Sequence, residues 1–156
     1  MNKILDGKKT SQRIKEEIKI KVDKLILEDK RPPHLAAILV GEDGASLTYV
    51  TNKVLSCKQV GFKSSLIRLP ESISEKDLLM EIQKLNKNKE IDGFIVQLPL
   101  PNHINDEKVL LTVRADKDVD GFHPENFGRM ALNMESFIPA TPFGIVELLD
   151  RYNIDL

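Results

Sequence analysis

Apolar positions along this chain alternate between two spacings. Between residues 9 and 29, Ile14, Ile18, Val22, Leu25 and Ile26 recur three or four apart with lysines and glutamates between them, which predicts a long amphipathic helix. Arg31-Pro32-Pro33 ends it, because proline has no N–H with which to continue a helix. LAAILV at 35–40 is an unbroken apolar run, the pattern of a strand covered on both faces. GEDGAS at 41–46 reads as a turn, followed by a helix to about residue 60 with Ser46 as its N-cap and Gly61 just past its end. FKSSLIRL at 62–69 is a second strand. Ser74 followed by Asp77 has the spacing of a capping box, with Asp in place of Glu, and opens a helix over LLMEIQKL. GFIVQL at 93–98 is a third strand and NDEKVLLTV at 105–113 a short helix. PATP at 139–142 precedes a last helix, with Thr141 as cap and Pro142 at its first position. Strands separated by helices predict an α/β fold: three layers, α/β/α, around a mainly parallel sheet with right-handed crossovers.

Composition narrows the classes. A chain of 156 residues fits one domain, and a domain of this size buries roughly 70% of its unfolded surface, so it needs neither metal nor disulfide to fold. With 23 basic and 24 acidic residues, the net charge of -1 lacks the basic excess of a nucleic-acid binder and gives no reason to expect a membrane-surface protein. The LAAILV run is far too short to span a bilayer. MNKILDGKKTSQ at the amino terminus lacks the apolar run of a signal peptide, and Cys57, the single cysteine, permits no internal disulfide; both are compatible with a cytoplasmic setting. The sequence contains neither GxGxxG nor GxxxxGK[ST], so it shows no dinucleotide or P-loop fingerprint.

The chemistry concentrates in GFIVQLPLP (93–101) and DKDVDGFHPENFGR (116–129). The first is a buried strand running into a loop that Pro99 and Pro101 stiffen, and the exits of such strands are where open α/β sheets place ligands. Gln97 there either orients a catalytic partner or satisfies loop backbone. Tyr49 and Lys53, four apart, share one helix face just after the first strand; a flat substrate could stack on the ring beside a proton donor or acceptor. Alternatively they are a partly buried tyrosine and a solvated lysine. Asp116, Asp118 and Asp120 do not follow a calcium-loop pattern, and no metal is expected. A single carboxylate accepting paired hydrogen bonds from an amidine-like ring edge fits better, the other two acids capping turns. His123 reads as a loop hydrogen-bonder and Cys57 as packed rather than reactive.

Taken in order, VGEDGASLTYVTNK (40–53), VGF (60–62), PESISEKDLL (70–79), GFIVQLPLP, DKDVDGFHPENFGR and PATPFGIVELL (139–149) resemble the bifunctional methylenetetrahydrofolate dehydrogenase/methenyltetrahydrofolate cyclohydrolase family over nearly the whole chain. The resemblance implies a folate-binding catalytic domain over residues 1–140, with 141–156 starting the helix that leads to a Rossmann-type NADP domain lying beyond this chain. It implies that Tyr49 stacks on the folate, that Lys53 is the catalytic group, that Gln97 hydrogen-bonds and tunes Lys53, and that Asp120 holds the pterin ring edge, with Leu98 and Pro99 lining the pocket. It implies tetrahydrofolate derivatives as partners, NADP as the cofactor of the full-length family, a homodimer, and no dehydrogenase activity for the folate half alone. A lysine that accepts a proton near neutral pH must have its pKa lowered from ~10.4 by about two to three pH units, within reach of partial burial beside a cationic substrate. Ala140, Gly44 and Leu55 stand where the family commonly has cysteine, proline and a basic residue. The rival expectation is a non-catalytic folate-binding or interaction module on the same fold.

Overall fold

The computed structural model describes residues 4–155. Residues 1–3, part of the stretch read above as lacking a signal peptide, and Leu156 lie outside the described residues. The elements run α1 (Gly7–Leu27), β1 (His34–Val40), α2 (Gly44–Val60), β2 (Lys63–Leu69), α3 (Glu75–Lys87), β3 (Gly93–Val96), α4 (Asp106–Thr112), a 3-10 turn (Ala115–Lys117), α5 (Pro124–Ala131) and α6 (Ala140–Arg151).

The sheet is parallel throughout, in the order β2-β1-β3, with β1 central. Alternation along β1 divides the core. Ala36, Ile38 and Val40 pack with Leu78 and Ile82 of α3, Phe94 of β3 and Val109 of α4, while Ala37 and Leu39 face the other way with Val50 of α2 and Ile95. The unbroken apolar run in β1 thus reflects burial on two faces, giving the three layers the pattern predicts. Each fully buried side chain such as Ile38 or Leu78 contributes about 1.5–3 kcal/mol relative to exposure. Against α2 on the outside lies α1, and α6 packs in turn on α1. Arg151 ties α6 down, reaching Glu17 with two 2.7 Å bonds, and the Tyr152 hydroxyl accepts from the Asp6 N–H at 2.9 Å.

Several local expectations are corrected. The N-cap of α2 is Asp43, not Ser46: its carboxylate accepts the Ser46 N–H at 2.8 Å, and that bond holds the carboxyl below its usual range. An ionised acceptor outcompetes a hydroxyl at a helix N-terminus, where the dipole favours negative charge. Gly61 does close the helix, in the left-handed conformation. Ser74 caps α3 as expected, accepting the Asp77 N–H at 3.1 Å. Thr141 does not cap α6, which starts at Ala140 after Pro139 with no side-chain cap. Pro142 sits third in the helix, where the absent N–H is one of the four that lack a helical partner in any case. β3 stops at Val96, although Gln97 still donates its N–H to Ile38 at 2.9 Å. The 3-10 turn and α5 were not anticipated. α5 is eight residues long and its one buried residue is Asn126, so apolar periodicity does not mark it.

Candidate active site

The predicted residues come from three elements. Tyr49 and Lys53 lie one turn apart on α2, with the Lys53 ammonium 5.8 Å from the centre of the Tyr49 ring. Lys53 Nζ also stands 3.7 Å from Asp120 Oδ1, an ion pair too long for a hydrogen bond, with 29% and 24% of the two side chains exposed.

Asp120 is delivered by a tight turn just after the 3-10 turn. Asp118 forms a parallel bridge to Phe94 of β3, which hangs this segment on the sheet edge. Val119 packs against the α2-side core, a closeness possible because Gly93 has no Cβ to strike it. Gly121 closes the turn with its N–H on the Asp118 carbonyl at 3.2 Å and a φ of 72°. Asp120 is thereby turned toward α2. Burial pushes its carboxyl above the usual carboxylate range; Lys53 pulls it down and the charge of Asp118 pushes it up again.

Leu98 and Phe122, both half-exposed, share with Asp120 a cavity of about 450 Å³ between β3, α4 and the loop. Tyr49 and Lys53 border a second, largely apolar cavity of about 630 Å³ between α1, α2 and α6. Lys53 lines one and Asp120 the other, so their ion pair stands between the two. Both volumes suit a small organic ligand.

Gln97 is differently placed from the expectation. Its amide Nε2 donates to the Leu98 carbonyl at 2.6 Å, and no hydrogen bond joins it to Lys53. Its Oε1 is buried without a hydrogen-bond partner, an acceptor facing no donor at this strand exit. Pro99 follows a cis Leu98–Pro99 bond, is exposed, and lines neither of the two cavities. Asp116 pairs with Arg114 and Asp118 accepts hydrogen bonds from the loop that follows it, so both are structural, as expected. His123 Nδ1 accepts the Glu125 N–H at 3.1 Å and caps α5. Cys57 is buried, and burial pushes its thiol up. Among the described residues no group of three or more His, Cys, Asp or Glu could hold a metal ion, and no helix is long and apolar enough to cross a membrane. Phe122 was missed; its signal was present, a phenylalanine two residues beyond Asp120 on the wall of the same crevice.

Against known proteins, the family model described as "Tetrahydrofolate dehydrogenase/cyclohydrolase, catalytic domain" matches residues 5–120. The chain belongs to this family. The match contains Tyr49, Lys53, Gln97, Leu98, Pro99 and Asp120, and stops before α5. Among its relatives, the bifunctional protein FolD of Christiangramia forsetii is 64% identical over 151 residues, covering 97% of this chain and 50% of that protein. A solved 5,10-methylenetetrahydrofolate dehydrogenase from the silkworm Bombyx mori superposes with a TM-score of 0.97 at 43% identity, over 99% of this chain and 53% of that one. The FolD methylenetetrahydrofolate dehydrogenase/cyclohydrolase of Campylobacter jejuni gives a TM-score of 0.94 at 44% identity, over 98% of this chain and 54% of its own. The chain therefore spans about half the length of the relatives it matches.

Proposed function

We propose that this chain is the folate-side half of a 5,10-methylenetetrahydrofolate dehydrogenase/5,10-methenyltetrahydrofolate cyclohydrolase of one-carbon metabolism. One observation carries the reading: Lys53, Tyr49 and Asp120 converge, the lysine nitrogen 3.7 Å from the carboxylate and 5.8 Å from the ring centre. Family membership and likeness to FolD proteins support it. In this reading the pterin ring edge donates to the Asp120 carboxylate, the folate stacks on Tyr49, and Leu98 walls the pocket, while Pro99 bears on it only through the backbone of the loop that holds Leu98. The Gln97 Oε1, buried and without a partner, is an acceptor able to receive a hydrogen bond from the Lys53 amine once the ligand occupies Asp120. In the hydrolytic step Lys53 accepts a proton from water as the water oxygen bonds to the methenyl carbon. The N5–carbon bond then breaks as N5 takes that proton from Lys53 and the carbinol hydroxyl releases its own to solvent, its oxygen becoming the formyl oxygen of 10-formyltetrahydrofolate. A lysine suits this better than a carboxylate, which would pair with the methenyl cation.

In the other half-reaction NADP supplies the hydride acceptor. No residue of this chain is assigned to hold it, since the sequence has no glycine-rich dinucleotide loop. We assign residues 1–140 to the folate-binding catalytic domain and 141–156, which hold α6 beyond Ala140 and the residues after its end at Arg151, to the segment leading toward an NADP-binding domain. Homodimerisation and a cytoplasmic site of action belong to the same reading.

The test is the decay of methenyltetrahydrofolate absorbance with this chain, its Lys53→Met variant, and the full-length protein carrying the same change. Full cyclohydrolase rate in full-length Lys53→Met would overturn the role of Lys53. Binding of folate by this chain without acceleration would instead make it a binding module.

A further inference from the structure

We infer that Asp118 and Asn126 are positioning residues: together they clamp the turn that carries Asp120 and so aim its carboxylate at Lys53 and at the folate ring edge. The folate part of this statement rests on the function proposed above; the clamp itself does not.

Both residues are only 4% exposed. Among the described residues Asp118 has no basic side chain within ion-pair distance. Its Oδ2 instead accepts the His123 N–H at 2.7 Å and the Asn126 amide at 3.1 Å. A buried carboxylate held only by neutral donors is costly, and a turn of this shape does not require one. Here the donors lie beyond the turn, so the carboxylate pulls its two ends together. Asn126 spans it from the other side. Its amide also donates at 2.8 Å to the carbonyl of Ala115, which precedes the turn. One side chain of α5 thus grips the chain before the turn and within it.

The neighbours are fixed as well. Buried Lys117 donates to the Leu85 and Asn88 carbonyls at 2.9 and 2.6 Å, pinning the segment to the end of α3. Val119, partly buried, packs against the core, and Gly121 lies against the backbone of 137–139. From Lys117 to Gly121, Asp120 alone has a side chain that this scaffold leaves uncommitted, and it faces Lys53. A structural clamp would fix any loop; what distinguishes this one is that everything around a single outward carboxylate is held.

The experiment combines a double-mutant cycle with a carboxyl titration. Binding of 5-formyltetrahydrofolate is measured for the parent, Asn126→Ala, Asp120→Asn and the double variant. If Asn126 acts through Asp120, Asn126→Ala weakens binding about tenfold in the parent and less than about twofold in the Asp120→Asn background. Equal losses in both backgrounds, or no loss, overturn the inference. In parallel, 13C NMR follows the Asp120 carboxyl with pH. The charged groups facing it are Lys53 from α2 and Asp118 from its own turn. With the clamp released, Asp120 gains solvent and its pKa falls; an unchanged titration in a folded Asn126→Ala overturns the clamp. If Asn126→Ala fails to fold, Asp118→Asn, of equal size, is read by the binding cycle alone, with the same outcomes, because loss of the Asp118 charge lowers the Asp120 pKa whether or not the turn moves. If the parent binds no 5-formyltetrahydrofolate, the folate reading fails, while the titration still decides whether Asn126 positions Asp120.

Discussion

Gly121→Ala should destabilise the chain and disturb the site in one change. A Cβ at Gly121 would stand 2.6 Å from the Ile138 carbonyl carbon, 2.7 Å from the Pro139 nitrogen and 2.8 Å from the Phe137 oxygen. All three are backbone atoms, so no side chain can rotate away. The φ of 72° adds the cost of a left-handed conformation for a residue with a Cβ, about 1–2 kcal/mol. Relieving the overlap by shifting backbone adds about 1–3 kcal/mol, the range for inserting a carbon into a packed site. The sum is about 2–5 kcal/mol, which for a chain of this size lowers the melting temperature by roughly 5–15 °C. Gly128→Ala is the internal control. It lies inside α5 with nothing within 4 Å of its Cβ position, so alanine there should stabilise by about 0.5–1 kcal/mol. Thermal unfolding followed by circular dichroism reads both. Relief must come by moving the 118–121 turn off 137–139, so Gly121→Ala should also weaken folate binding in whatever fraction stays folded. A Gly121→Ala protein that melts within about 1 °C of its parent would refute the seating of this turn.

Other consequences follow from the same contacts. Because burial raises the Asp120 pKa, the folded chain holds that proton more tightly than the unfolded chain. Its contribution to stability is present below the unfolded pKa and is lost as pH rises through the folded one. Asp120→Asn should therefore be more stable than the parent at pH 7 and lose that advantage in acid, as urea titrations at the two pH values would show. Asp92 has the opposite sign: its hydrogen bond to Arg31 holds the carboxyl below its usual range. Its contribution is present above the unfolded pKa and is lost as pH falls through the folded one, so Asp92→Asn should be less stable than the parent at neutral pH and close to it in strong acid. No residue of α6 is fully buried, and the helix leans on Arg151 and Glu17. Arg151→Ala should speed amide hydrogen exchange in α6 while leaving β1 unchanged, and added salt should narrow the difference.

β1 was legible because it carries its burial in its own residues: the six-residue run LAAILV puts apolar side chains on both faces, as a central strand needs. The Tyr49–Lys53 pair was legible because helical spacing alone puts them on one face. The approach of Asp120 to Lys53 was not. It depends on Val119 entering the core past Gly93 and on Gly121 packing against 137–139, contacts that no local pattern encodes; only the likeness of whole motifs pointed to Asp120. At the start of α2 the sequence pointed to Ser46, and Asp43, three residues earlier, takes the cap because its carboxylate is charged. α5 was missed because its inward residue is an asparagine, and periodicity reads only apolar faces. That same asparagine holds the turn bearing Asp120, so the residue that hid the helix is part of what shapes the site.

Asp120 also explains why a site would be built at a cost to the fold. Taking a carboxylate out of water is unfavourable, and here folding has already done so before any ligand arrives. A ligand whose ring edge donates to Asp120 then meets an acceptor already desolvated and aimed, and loses less free energy in ordering it. Around this acceptor Tyr49, Leu98 and Phe122 remain 65%, 43% and 51% exposed. Such apolar surface does little for the folded chain alone, but a flat ligand would cover it at about 25 cal/mol per Å². Stability and affinity should therefore move in opposite directions at this position: Asp120→Asn should make the chain harder to unfold at neutral pH and poorer at holding folate. A variant that improved both, or weakened both, would mean that the Asp120 carboxylate serves the fold rather than the ligand.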